Sequence, residues 1–148
     1  MIRRNFRPER TGAVLNQAST ARFWAERIIA FETREKSNVA AIVQGIRNAL
    51  TRLDDHCSHL VGKVGFEALF SRALHLTQPD WPAARTLENL SETVQQEGAE
   101  KTRAGAALLF ANTIGLLCSF IGDDLTFRVL ERAWPELPKA TSSERERA

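Results

Sequence analysis

The 148-residue sequence predicts an all-α fold, one compact bundle of about six helices around a central apolar helix, with flexible ends. Three observations predict it. Apolar residues recur at three- and four-residue spacing in segment after segment, the period of a helix with one buried face. No segment shows the strict alternation of a half-buried strand. One stretch, residues 104–122 (AGAALLFANTIGLLCSFIG), carries no charge, with Lys101 and Arg103 before it and Asp123 and Asp124 after it.

The composition places this fold in an ordinary class. An apolar fraction of 43% and a charged fraction of 26% are those of a soluble globular domain. The length suits one core, so a single domain is expected over 18–138, between a basic tail at 1–17 and a polar tail at 139–148. Arg3, Arg4, Arg7 and Arg10 give the first tail its charge, and disorder is expected for both. A net charge of +2 is too small to argue for nucleic acid, which is not the expected partner. The absence of an apolar run near the start argues against a secretory signal, and a reducing, cytoplasmic setting is expected.

The elements follow in order. A first helix is expected from Thr20 to about Lys36, with Trp24, Ile28 and Phe31 on one face. Ser37 or Asn38 caps a second, whose stripe runs Val39, Ile42, Val43, Ile46, Leu50, Leu53, Cys57 and Leu60 to about Val61. The sequence leaves open whether these two run through Ser37 as one. Gly62 and Gly65 flank a break. A third helix spans about 64–77, with Phe66, Leu69, Phe70, Ala73 and Leu76 inward. Gln78-Pro79-Asp80-Trp81-Pro82 reads as a loop, because proline disfavours helix in the residue before it. Pro82 opens a fourth helix to about Glu97, burying Ala83, Leu87, Leu90 and Val94, and Gly98 ends it.

The fifth helix is the charge-free stretch. Leu109, Phe110, Ile114, Leu116, Leu117, Phe120 and Ile121 fill one broad side, and Ala104, Ala111, Asn112, Gly115, Cys118 and Ser119 form a narrow seam opposite. The segment is borderline in length for a membrane span but lacks the Trp or Tyr anchors expected at its ends, so a buried core helix is expected instead. Gly122 closes it. Asp123 caps a sixth helix over 124–134, with Leu125, Val129, Leu130, Ala133 and Trp134 on its apolar side. Pro135 and Pro138 stop it.

The densest cluster of reactive side chains is Asp54-Asp55-His56-Cys57-Ser58-His59. Metal ligands on one helix must share a face. Cys57 turns inward with the apolar stripe while Asp55 and His59 turn out, so the metal candidates are Asp55, His56 and His59. No Glu-x-x-His motif or second cluster completes a site. Cys57 and Cys118 both fall on apolar faces and read as buried free thiols, without the exposed thiolate that nucleophilic catalysis needs. Ser58-His59-Leu60-Val61-Gly62-Lys63-Val64-Gly65 resembles the histidine-phosphotransfer domains of bacterial relays. That resemblance implies an exposed phosphoacceptor His59 with Lys63 offsetting the phosphoryl charge. In that family Lys precedes Gly, whereas here Gly62 precedes Lys63. Gln44, Asn48 and Arg52, with Arg47 nearby, form the one helix side with a composition suited to DNA, but Asp55 follows directly.

No catalytic residue, cofactor or metal is therefore expected, and enzymatic activity is less expected than its absence. By elimination the chain reads as a non-enzymatic bacterial regulatory or protein-interaction module, docking a protein partner or a second copy. The alternatives are phosphotransfer through His59 and a helical DNA-binding or ligand-sensing regulator. Trp81, Trp134 and Leu130 are the candidate interaction residues, because Trp is enriched at interfaces and Leu130 lies on the wide apolar side of the last helix, although loop and end tryptophans also plug bundle ends and that reading of them is favoured.

Overall fold

The computed structural model describes residues 8–34 and 38–137. Among them the chain forms six α-helices and no strand. These are α1 (Pro8–Glu32), α2 (Val39–Val61), α3 (Lys63–Thr77), α4 (Leu90–Glu97), α5 (Ala99–Ile121) and α6 (Asp123–Ala133), with a 3-10 segment, Pro82–Asn89, ahead of α4. Helix α5 runs through the middle and touches each of the other five. Its longest contact is with α1 and its next with α3. Phe110, Ile114 and Leu117 from α5 meet Ile28, Ile42, Ile46, Leu53, Leu90 and Trp134 in one core.

Most boundaries follow from the residues at them. Asn38 is the cap of α2, its side chain accepting from the Ala41 N–H at 2.8 Å, and α1 and α2 are separate helices. The other cap considered, Ser37, and the expected tail at 139–148 lie outside the described residues. Three corners are each made by a single glycine: Gly62 between α2 and α3, Gly98 between α4 and α5, and Gly122 between α5 and α6. All three have φ between 81° and 95° and ψ between 158° and 161°, a region essentially closed to side-chain-bearing residues. Each glycine N–H bonds the carbonyl four residues back, and each glycine carbonyl accepts from the N–H four residues ahead. One residue thus ends one helix and starts the next, with no loop between.

Four expectations need correction. The first helix starts at Pro8 rather than Thr20. Proline suits the first helical turn, where its missing N–H has no intrahelical partner to lose, so the helix takes in residues read as tail. The fourth helix is two pieces, because Thr86 (φ −130°, ψ 67°) breaks it and leaves Pro82–Asn89 wound as 3-10. Asp123 is the first residue of α6, and Gly122 holds the cap position. Four residues placed on inner apolar faces are exposed: Phe120 of the central helix by 68%, and Leu60, Leu76 and Leu125 of the second, third and sixth helices by 46%, 41% and 38%.

Two polar ties fix the helices against one another. Glu32 on α1 is buried; its Oε2 accepts from the Trp134 indole N–H at 2.8 Å and lies 3.5 Å from Arg52 Nε of α2. The same guanidinium donates to the Ala133 carbonyl and to Glu136, both at 2.9 Å, and stacks over the Trp134 ring. A buried charge is tolerable only when paired and hydrogen-bonded in this way. One residue on, the Thr33 hydroxyl accepts from Arg103 at 3.0 Å and extends this tie to α5; the second tie is Asn112 of α5 donating to the Thr77 hydroxyl of α3 at 2.9 Å.

Candidate interaction surface

Helices α3 and α5 run antiparallel, since Asn112 pairs with Thr77 at the end of α3 while Phe120 lies beside Gly65 near its start. Two rows of side chains at four-residue spacing flank the seam between them. Val64, Ala68, Arg72 and Leu76 stand on α3; Leu108, Asn112, Leu116 and Phe120 stand on α5. The α3 row is exposed throughout: Val64 by 79% and Leu76 by 41%. Between the rows lies an open, almost wholly apolar groove of about 450 Å³, floored by Gly65, Ala68, Leu69 and Ser119 and edged by Leu116 and Phe120. Arg72 is the one charged residue lining it, and it forms no ion pair among the described residues.

The groove has a local cause. Helix α5 is apolar all round, so its composition does not select a face, and the bundle has only enough neighbours to cover part of it. Helix α3 turns Phe66 and Ala73 into the core and leaves small residues against α5. Small side chains on both helices leave the seam unfilled where Phe120 projects. Among the described residues, α5 is the one helix long and apolar enough to cross a membrane, with mean hydropathy 1.9, and 44% of its most apolar window is buried in the bundle.

The three candidate interaction residues are buried. Trp134 and Leu130 are fully buried and Trp81 is 4% exposed. The Trp81 ring lies on Gly105, with its indole N–H donating to Glu97 at 3.1 Å, so the tryptophans act as plugs of the bundle and present no surface to a partner. The residues missed in sequence are Phe120, Val64 and Arg72. Their signal was a four-residue spacing on two helices, legible as a surface only once the helices are paired.

The reactive cluster on α2 is not gathered into a centre. His59 and Asp55 are exposed; His56 is half-buried with its Nδ1 3.0 Å from the Arg52 carbonyl. Among the described residues no group of three His, Cys, Asp or Glu is placed to hold a metal ion. Ser58 donates to Asp54 at 2.7 Å, and Lys63 approaches the same carboxylate at 3.8 Å. Gly62 turns the chain between His59 and Lys63, which therefore stand on different helices. Cys57 and Cys118 are buried free thiols, as expected. Burial, reinforced by Asp54, pushes the Cys57 thiol up to about 12, and burial with Asp123 nearby pushes Cys118 up to about 11. On the side of α2 considered for DNA, Arg52 is committed to Glu32 and Glu136, and Gln44 donates to Asn48 at 2.9 Å, leaving Arg47 exposed.

Comparison of the chain with protein-family models, with curated proteins and with solved structures finds no match in any of the three.

Proposed function

We propose that this chain is a non-enzymatic protein-interaction module with a regulatory role in the bacterial cytoplasm, and that it docks its partner through the α3/α5 face. The observation that carries the reading is the exposed Phe120 standing beside an apolar groove. A large aromatic next to a concave surface of small residues has the form of an interface anchor and its pocket. Water on such a surface is released on docking, at roughly 25 cal/mol per Å² covered. Phosphotransfer through His59 has weaker support, because Lys63 lies past the Gly62 corner and beside Asp54.

The test is photocrosslinking in living bacterial cells, with a benzophenone amino acid replacing Phe120. A discrete adduct with a protein is expected, absent when the benzophenone replaces exposed Arg47 on α2. If position 120 captures no protein, the interaction reading fails.

A further inference from the structure

We infer that the partner is a second copy of this chain: the α3/α5 face pairs with itself across a two-fold axis, and Phe120 of each copy seats in the groove of the other. The inference rests on the interaction reading above and names the occupant of the same surface.

A two-fold contact uses one patch on both copies, so that patch must carry a projection and a matching recess together. The α3/α5 face does. Phe120 projects at one end, and toward the other end the groove between Ala68, Leu69, Arg72 and Leu116 is open and large enough for a phenyl ring. The rows at four-residue spacing are ridges, and ridges of one copy can enter the grooves of another. A two-fold axis lying in the interface and crossing both helices at right angles lays the Phe120 end of one copy over the Arg72 end of the other. The partner's Phe120 then offers its ring face to the Arg72 guanidinium.

The area fits a weak dimer. A Phe side chain presents about 150–250 Å², so covering Phe120 removes roughly 100–170 Å² from water in each copy. With Val64, Ala68, Leu116 and the stem of Arg72, the face amounts to roughly 500 Å² per copy, or about 1,000 Å² in all. That lies below the roughly 1,200 Å² at which stable specific interfaces begin and within the range of weak, transient ones, so a micromolar dissociation constant is expected.

The experiment is sedimentation equilibrium of the purified full-length protein between about 1 and 500 µM. A monomer–dimer equilibrium is expected. Phe120→Ala removes the projection and Ala68→Arg fills the recess; each should weaken the dimer at least tenfold with helicity by circular dichroism unchanged. Mixing the two variants restores one of the two contacts, because the Phe120 of the Ala68→Arg chain meets an intact recess on the other. The mixture should therefore associate more tightly than either variant alone. A monomer throughout overturns the inference, and an adduct with a different protein at position 120 then leaves the interaction reading standing. A dimer unaffected by both variants, a mixture with no recovery, or growth beyond a dimer each overturn it as well.

Discussion

The two halves of α5 hold the same kind of residue for opposite reasons. In the first half, Gly105 lies under the Trp81 ring, where an added Cβ would collide with the indole. In the second half, an added Cβ on Gly115 would meet nothing within 4 Å. The first half is closed by Trp81 and by Arg103 bonding to Thr33; the second is open on the side where Phe120 projects. A charge-free helix can therefore be core along part of its length and surface along the rest. The difference lies in what packs against it, which the helix's own sequence does not state.

The strongest test of that contrast is chemical. The open side of the second half should be only one side, with Cys118 sealed on the other. At pH 8 in the folded protein, the raised thiol pKa values alone should slow alkylation about a thousandfold at Cys57 and about a hundredfold at Cys118, relative to ordinary thiols. Both should react at once in denaturant. Fast labelling of Cys118 in the native protein would mean that this half is loose all round, and the comparison would collapse.

Next in size is Gly105→Ala. Overpacking against Trp81 should cost about 2 kcal/mol in urea unfolding, after the helix-propensity gain is subtracted. Trp81→Leu should absorb much of that loss in the double variant, a non-additivity expected only of residues in contact. Gly115→Ala should instead stabilise by about 0.5–1 kcal/mol, the ordinary difference between Gly and Ala inside a helix. If both substitutions destabilise, Gly115 is covered in solution, and a second copy is the first candidate for what covers it.

The smallest effect belongs to the tie around Arg52. Glu136 is held below the ordinary carboxylate range, first by its own backbone N–H and then by Arg52. A lowered folded pKa stabilises the fold above the unfolded value and is lost as pH falls through the folded one. Glu136→Gln should therefore be slightly less stable than the parent at neutral pH, and the two should converge in acid. A gap that persists unchanged to low pH would assign the tie to packing of Arg52 on Trp134 instead.

Much of the scaffold was legible because it is written locally. The stripe of α2, the Asn38 cap and the three glycine stops depend on residues within a turn or two of one another. The inward turn of Cys57 follows from the same stripe. What escaped was set at long range. Trp81 reads as a loop residue until Gly105 is brought beneath it, and Phe120 reads as core in a helix apolar on every side. The early start at Pro8 was hidden by the arginines around it, which suit a tail or a solvated helix turn equally. The candidate surface was the least legible part, because a groove between α3 and α5 belongs to neither helix alone.

The single-glycine corners also govern how this chain can change in length. A residue added to α2 before Gly62 would rotate that corner by about 100° about the helix axis and send α3 off in a new direction. The same holds at Gly98 and Gly122, since none of the three has spare residues to take up the turn. Insertions and deletions should then be excluded from the three corners and accepted at the connection around 78–81, whereas substitutions are tolerated widely on the exposed faces. At the three corners, residue count is as constrained as residue identity.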